Sequence, residues 1–189
     1  MATQSLPHYT LEEYLKLERE AETRSEYVQG DIVAMAGATR NHGRIVGATH
    51  FRLYEQLQGR TCEVAGTDLR LYIEKYDVLT YPDVIVTCGP DKFLDERRDT
   101  ITDATLIVEV LSPGTQVFDR GDKFLHYRGL PSFAEYLLLA QNEIHAEHYV
   151  RQPDDSWLFR EITEPAAVIE LTSIDCRLPL AALYERVKF

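Results

Sequence analysis

The chain has 189 residues, of which 44% are hydrophobic and 27% are charged, a composition typical of a soluble globular protein. This length suits one domain with a substantial core, so we predict a single domain spanning residues 1–189. The formal net charge of −11 excludes the broad basic surface usual in nucleic-acid-binding domains, so a polyanionic substrate would require a local basic patch or metal ions.

The first part of the chain predicts two helices separated by a hairpin. Thr10 and Glu13 have the spacing of a capping box, which predicts the start of the first helix. Apolar residues on either side of a Gln-Gly-Asp turn predict strands at 25–28 and 32–35. A longer helix is predicted over 39–58, where apolar residues recur at helical spacing and a glycine follows.

Short strands dominate the rest of the chain. They are predicted at 61–65, 69–73, 83–87, 105–111, 134–140, 144–150 and 157–162. A polar, solvent-exposed connection is expected at 89–103, a further, shorter helix at 119–128, and a last strand with a short helical turn from Val168 onward. This order is not a regular βαβ alternation, so it predicts an α/β (α+β) fold with a central mixed sheet flanked by helices.

The cysteines and the apolar runs indicate a cytoplasmic protein. Cys62, Cys88 and Cys176 are odd in number, widely spaced and free of any CxxC pair, so we expect reduced, buried side chains and no disulfide framework. The N-terminal residues lack the apolar core of a signal peptide. No apolar run approaches the roughly 20 residues needed to span a bilayer.

The most informative feature is a carboxylate inside an apolar strand. Glu109 lies within the run Leu-Ile-Val-Glu-Val-Leu at 106–111, and Asp83 begins a second apolar run at 83–86. A buried acid is costly unless a cation or hydrogen-bond donors compensate it. Two acids on core strands, with Lys123 soon after, therefore predict a site for a divalent metal ion.

Strand geometry predicts that the two acids meet. If the strands pair antiparallel through the connection 89–103, Asp83 and Glu109 come side by side on one face of the sheet. Ligation by oxygen alone suits Mg²⁺ or Mn²⁺, and the backbone carbonyl of Val110 could supply a further oxygen. Such a site could activate a water against a phosphodiester.

Lys123 has two interpretations. It could place a positive charge beside the attacked phosphate or orient the attacking water. Asp119 and Lys123 are also an i, i+4 pair, which commonly forms a surface salt bridge worth a few tenths of a kcal/mol. The sequence leaves both open.

Several motifs resemble one family of nucleases. They are Tyr-Thr-Leu-Glu-Glu-Tyr at 9–14, Glu-Tyr-Val-Gln-Gly at 26–30, Met-Ala-Gly at 35–37, Asn-His-Gly-Arg-Ile at 41–45, Thr-Asp-Leu-Arg at 67–70, Tyr-Pro-Asp at 81–83 and Val-Glu-Val-Leu-Ser-Pro-Gly-Thr at 108–115, continuing to Asp-Arg-Gly-Asp-Lys at 119–123. In order and spacing the chain, from about residue 9 to its end, resembles the Uma-type family within the PD-(D/E)XK nuclease superfamily.

This resemblance implies a restriction-endonuclease-like core with Asp83 and Glu109 as metal ligands. The superfamily lysine expected two residues after the glutamate is replaced by Leu111, and in the Uma-type family it maps to Lys123. Glu26 matches an acid that could complete the site, although a solvated strand residue is the alternative for it. His42 could contact substrate or only begin the long helix.

A basic cluster follows the strand of Glu109. It comprises Arg120, Lys123, His126 and Arg128, which could contact a phosphate backbone or form a solvated face. We assign Arg120, with His42, to substrate binding.

The resulting hypothesis is a Mg²⁺- or Mn²⁺-dependent endonuclease that hydrolyses phosphodiester bonds, with DNA the favoured substrate. A homodimer is expected by analogy with other nucleases of this fold. One alternative is a catalytically silent binding module that keeps the nuclease core, which the net charge and Leu111 favour. Another is a hydrolase of a different phosphate ester.

Overall fold

Two mixed β-sheets carry the fold in the computed structural model, which describes residues 8–35, 37–66 and 68–189. The helices are α1 (Leu11–Glu20), α2 (Arg40–Leu57), α3 (Gln116–Phe118), α4 (Phe124–Tyr127) and α5 (Leu180–Tyr184), and a π-helix at Asp119–Lys123 joins α3 to α4. The strands are β1 (Ser25–Val28), β2 (Asp31–Ala34), β3 (Cys62–Gly66), β4 (Arg70–Ile73), β5 (Val78–Thr80), β6 (Val84–Cys88), β7 (Thr100–Ile101), β8 (Leu106–Leu111), β9 (Glu135–Ala140), β10 (Ala146–Arg151), β11 (Trp157–Ile162), β12 (Val168–Leu171) and β13 (Cys176–Pro179). Ala36 and Thr67, from two of the quoted motifs, and the N-terminal residues 1–7 lie outside the described residues.

A six-stranded sheet in the order β11-β10-β9-β8-β6-β3 forms the centre. Its pairs are antiparallel except β8 and β9, which are parallel, so the predicted mixed sheet is confirmed. One face packs against α2, α5 and the β12–β13 hairpin through a shared apolar core. On that face Val84 and Val108 pack with Ile45 and Leu53 of α2.

The opposite face of this sheet packs against a second sheet and the helical segment 116–127. Ile85 and Ile107 share a core with Leu71 of β4 and Tyr127 of α4. Because side chains alternate along a strand, the odd-numbered positions of β6 and β8 face this second core. Glu109 lies in that register, as does Asp83, which directly precedes β6.

The second sheet has five strands in the order β2-β1-β5-β4-β7. It contains the predicted hairpin, whose two-residue turn has positive φ at Gln29 and Gly30, as a type I′ connection requires. Its outer face is covered by α1 through Tyr14 and Leu15. The capping box predicted at Thr10 and Glu13 is present at the start of α1.

The sequence prediction missed parts of this sheet. β5 has only three residues and was not predicted. The connection 89–103 is less exposed than expected, because it contributes β7 and its Asp99 pairs with Arg19 and Arg70. The tail forms a hairpin of two strands before its helical turn, where one strand was predicted.

The helix predicted at 119–128 begins earlier and is not uniform. Helical backbone starts at Gln116 and ends at Tyr127, and residues 119–123 form a π-helix. This segment is the crossover between the parallel strands β8 and β9, which such a pair requires. It therefore lies over the face of the sheet that carries Glu109.

The expectation of three reduced cysteines is wrong. Cys62 and Cys88 are directly opposite each other on the antiparallel strands β3 and β6, and a disulfide joins them. Cys176 is free and buried. The sequence could not reveal this pair, because the contact depends on the register of two strands 26 residues apart.

We expect one reactive thiol per chain when the purified protein is unfolded without reductant, and three after reduction. The disulfide should stabilise the fold by roughly 3–4 kcal/mol in the chain-entropy approximation, so reduction should lower the melting temperature. Thiol titration in denaturant measures the count, and Cys176→Ser serves as a control that should remove only the single free thiol. Three thiols before reduction would contradict the pairing.

Among the described residues, no helix has both the length and the apolar character required to cross a membrane.

Candidate active site

Asp83 and Glu109 meet where β6 and β8 pair. The two strands are antiparallel with Val84 opposite Val108, so the next positions outward are Asp83 and Glu109, as the sequence predicts. The Asp83 Oδ2 atom accepts a hydrogen bond of 2.8 Å from the backbone N–H of Val110. The carboxylate of Asp83 therefore lies beside the backbone that carries Glu109.

The N–H of Val110 also indicates where its carbonyl points. Within a strand, the N–H and C=O of one residue point to the same neighbouring strand. The regular pairing of β6 with β8 ends at Val84, so the backbone of Val110 faces Asp83 instead of a strand partner on that side. The carbonyl oxygen of Val110 is therefore directed toward the side of the sheet where Asp83 lies.

Glu109 is almost fully buried and is held through one oxygen. Its Oε1 atom accepts a hydrogen bond of 2.6 Å from the hydroxyl of Tyr127 and lies 3.0 Å from Nζ of Lys123. These two contacts fix the orientation of the carboxylate. The contacts with Tyr127 and Lys123 both involve Oε1.

Lys123 joins three carboxylates from three parts of the fold. Its Nζ atom lies 3.0 Å from Glu109, 3.6 Å from Glu26 and 3.6 Å from Asp119, and only 12% of its side chain is exposed. The i, i+4 pair with Asp119 is thus present, but it is buried and not at the surface. Lys123 reaches Glu109 because the crossover segment lies over this face of the sheet.

Glu26 is brought to the site by the second sheet. It lies on β1 and accepts a hydrogen bond from the hydroxyl of Thr80 on the neighbouring strand β5. Its side chain is 12% exposed, so it is not the solvated strand residue that was one alternative.

Negative charge exceeds positive charge in this cluster. Glu26, Glu109 and Asp119 lie around the single ammonium group of Lys123, and Asp83 adds a fourth carboxylate beside the backbone of Val110. Burial raises the pKa of Glu109 to about 8 against the opposing effect of Lys123, and the charges of Asp83 and Asp119 add to the rise. The site therefore has the electrostatics of one that gains from a further cation.

The pKa values of the neighbouring groups follow the same physics. Burial raises the pKa of Asp119, while Lys123 opposes that rise. For Lys123, burial opposes the charged form, but the charges of Glu109, Glu26 and Asp119 outweigh it and raise the pKa well above its usual value. Lys123 is therefore a permanent cation and not a proton acceptor at neutral pH.

His42 lies beside Asp83, in the first turn of α2. Its Nε2 atom is 2.9 Å from Oδ1 of Asp83, and its backbone N–H donates to the hydroxyl of Thr39, the N-cap of the helix. The ring is therefore at the site, in contact with an acid. Whether it contacts substrate stays a prediction.

Arg120 pairs with an acid outside the cluster around Lys123. Its guanidinium forms a salt bridge with the buried Glu147, with nitrogen–oxygen distances of 2.7 and 2.8 Å. A second interaction of 3.1 Å joins it to the side chain of Gln116. These contacts hold Arg120 at the rim, so binding a phosphate would require it to share or exchange the carboxylate of Glu147.

Two residues of the cluster were not selected from the sequence as site residues. Asp119 was regarded only as the partner in an i, i+4 pair, yet it is 2% exposed. Tyr127, which contacts Glu109, was not considered. Their signal is the spacing of Asp119, Lys123 and Tyr127, each four residues from the next, which favours one side of a helix.

The donor set fits a divalent cation held partly by water. Across residues 8–35, 37–66 and 68–189, no group of three or more His, Cys, Asp or Glu side chains is arranged to ligate one ion. Asp83, Glu109 and the carbonyl of Val110 are oxygen donors only. Mg²⁺ commonly binds through one or two carboxylates and keeps several waters, so this small set matches its chemistry.

Comparisons with known proteins agree with this architecture. The Uma2 family model, described as "Putative restriction endonuclease", matches residues 11–181. Two uncharacterized proteins of Synechocystis sp. are 37% identical over 86% of this chain and 92% of the relative, and 34% identical over 97% and 95%. A crystal structure of a putative nuclease belonging to DUF820 from Anabaena variabilis aligns with a TM-score of 0.76, at 21% identity, over 95% of this chain and 99% of that one. The structural match supports the restriction-endonuclease-like fold.

Proposed function

Since the chain belongs to the Uma2 family of restriction-endonuclease-like proteins, we propose that it is a metal-dependent nuclease that hydrolyses phosphodiester bonds in DNA. The observation that carries this proposal is the convergence of Asp83 and Glu109 beside Lys123 on one face of the central sheet. The excess of buried carboxylates over cations supports a bound divalent ion.

Asp83 and Glu109, with the carbonyl of Val110, would hold Mg²⁺ or Mn²⁺. When bound, such an ion lowers the pKa of a coordinated water and stabilises negative charge on a phosphoryl oxygen. Tyr127 and Lys123 both contact Oε1 of Glu109, so Oε2 would be the oxygen left to hold the cation. The hydrogen bond from Val110 and the contact with His42 keep the carboxylate of Asp83 in place.

Lys123 and Glu26 complete the proposed machinery. The positive charge of the Lys123 ammonium group offsets the negative charge that develops on the attacked phosphate. Because the pKa of Lys123 is raised well above its usual value, the group keeps its positive charge near neutral pH. Glu26 holds Lys123 from the opposite side, at 3.6 Å. His42 lies at the rim next to Asp83, where it could contact a phosphate, and Arg120 could do so after leaving Glu147.

Metal binding should stabilise the protein through Asp83. At a metal concentration ten times the dissociation constant we expect about 1.4 kcal/mol, which is roughly 3–6 °C in melting temperature. Asp83→Asn should lose most of this shift, whereas Asp91→Asn, which alters an exposed acid, should keep it. Thermal melting in Mg²⁺, Mn²⁺ and EDTA measures the effect.

The same titration separates the alternatives. If millimolar Mg²⁺ or Mn²⁺ does not raise the melting temperature of the unaltered protein, the result would favour a catalytically silent module that keeps the nuclease core. A normal shift without cleavage of plasmid, single-stranded DNA or RNA, but with cleavage of a small phosphodiester, would favour a hydrolase of another phosphate ester.

The homodimer and the cytoplasmic location are further proposals. Size-exclusion chromatography with light scattering tests the dimer. Disulfides rarely persist in the reducing cytosol, so the pair Cys62–Cys88 counts against a cytoplasmic location if thiol titration of protein from the native host finds it oxidised.

A further inference from the structure

A polar pocket lies near the candidate active site. It has a volume of about 260 Å³. We call it the basic pocket, and its lining comprises Lys75, Tyr76, Leu125, Arg128, Arg151, Asp155 and Trp157. In a chain of net charge −11, three cations around two aromatic rings and one acid form an unusual local environment.

Two of the three cations in the basic pocket are not neutralised by acids. Arg151 pairs with Asp155 at 2.7 Å, which accounts for the one acid of the lining. Lys75 and Arg128 are exposed, and no ion pair with an acid is present for either among the residues that the structure describes. Lys75 lies 5.2 Å from the ring centre of Tyr76, and Arg128 lies 5.0 Å from that of Phe124. The pocket therefore has a net positive charge.

The aromatic part of the basic pocket packs against neighbouring rings and is partly exposed. Trp157 packs on Phe124 and Phe133, with ring centres 5.1 and 5.2 Å apart, and it remains partly exposed. Tyr76, also partly exposed, lies next to His126 at 5.4 Å. A flat apolar surface next to free cations is the arrangement that proteins use to stack bases and hold phosphates of single strands.

The basic pocket is close to the carboxylates of the active site. Arg128 follows Lys123 by five residues, which in a helix is about 8 Å along the axis and about 140° around it. His126 connects the two places, because its ring is next to Tyr76, and although burial lowers its pKa, the charges of Asp122 and Glu26 are near enough to oppose that shift. A polynucleotide with a phosphate at Lys123 can therefore extend to this pocket within a few nucleotides.

We propose that the basic pocket binds a nucleotide of a single-stranded segment, with its base against Trp157 or Tyr76 and its phosphate between Lys75 and Arg128. This inference rests on the proposed nuclease function and specifies the form of the substrate. The volume is below the 300–1,000 Å³ typical of pockets for whole drug-sized ligands, which suits one unit of a longer chain. The pocket favours DNA that is unpaired on one side of the cleaved bond.

The test uses the only tryptophan of the chain as the probe. Oligothymidylate is titrated into the intact protein in EDTA, so that no cleavage occurs, and the emission of Trp157 is followed. We expect saturable quenching. An oligomer of abasic residues of the same length should bind with less quenching, because it offers phosphates but no bases.

The matched variants separate this pocket from general charge. Lys75→Gln with Arg128→Gln should weaken binding at least tenfold and reduce the slope of log K against log salt by about 0.7, the value for one lost phosphate contact on a single strand. Lys16→Gln with Arg186→Gln removes the same charge from exposed residues elsewhere and should change neither.

Two outcomes would overturn the proposal. One is equal affinity and salt slope in the Lys75/Arg128 variant, and the other is equal quenching by polyglutamate, which would assign the pocket to an acidic peptide. Because binding is measured without metal, its failure is independent of catalysis. Saturable binding together with no cleavage of any polynucleotide would retain this inference and remove the nuclease function.

Discussion

Glu109→Gln should reduce metal-dependent cleavage of DNA by at least a hundredfold. The substitution keeps the shape of the side chain and an oxygen that can accept from Tyr127, but it removes the charge that would hold the cation. Removing one electrostatic contributor to a phosphoryl or acyl transition state typically costs 10²–10³ in kcat. The measurement is the initial rate on plasmid and single-stranded DNA in Mg²⁺ and in Mn²⁺.

The Glu109→Gln variant should remain folded, so a loss of cleavage would reflect the lost charge and not a loss of structure. Burial opposes the ionised form of Glu109, so a neutral amide relieves part of that cost, although it weakens the contact with Lys123. Asp103→Asn is the control, because Asp103 is also a largely buried acid with a lysine partner but lies outside the cluster. It should cleave within about threefold of the unaltered protein. A Glu109→Gln protein with full activity would remove Glu109 from the mechanism.

Lys123→Met should destabilise the protein by about 3–5 kcal/mol, the usual cost of removing one partner from a buried ion pair. For a chain of this size that corresponds to roughly 6–20 °C in melting temperature. The physical reason is that Glu26, Glu109 and Asp119 would be left together with no cation. Thermal and urea unfolding measure the loss, and cleavage should fall with it under conditions where the variant is folded.

Metal should partly replace the lost lysine. In Lys123→Met, saturating Mn²⁺ should raise the melting temperature more than it does in the unaltered protein, because the added cation compensates the same carboxylates. The double variant Lys123→Met/Glu109→Gln should be less destabilised than the sum of the single variants, since each substitution removes one side of the pair. Lys16→Met, at an exposed position, should leave stability within about 0.5 kcal/mol. An unchanged melting temperature for Lys123→Met would show that the buried ion pairs do not form.

The two acids of the site could be located from sequence because local rules determine their position. Apolar residues on both sides of Glu109 predicted a core strand, and alternation placed it on the face shared with Asp83 once the strands paired antiparallel. The antiparallel pairing itself was an assumption, because residues 89–105 separate the two strands, and the structure confirms it. The other steps needed no knowledge of distant parts of the chain.

The parts that the sequence did not predict depend on distant contacts. β5 is too short to have a pattern of its own and is a strand only because β1 and β4 flank it. The pairing of Cys62 with Cys88 depends on register, which widely spaced cysteines do not indicate. The spacing of Asp119 and Lys123 is the same for a surface salt bridge and for a buried one, so their burial could be known only after the crossover was placed on the sheet.

The π-helix at Asp119–Lys123 closes its hydrogen bonds over one residue more than the α-helix does. Its first residue, Asp119, and its last, Lys123, both belong to the buried charge cluster. Deleting a single residue there, such as the exposed Gly121, would let the segment rewind and turn its two ends by about 100° relative to each other. Lys123 could then no longer contact both Asp119 and Glu109, although the strands beneath would be unaltered. Relatives that lack this extra residue should therefore lose the contact of the lysine with both acids or supply that positive charge from another part of the chain, so the length of one turn becomes a marker for relatives that can build this cluster.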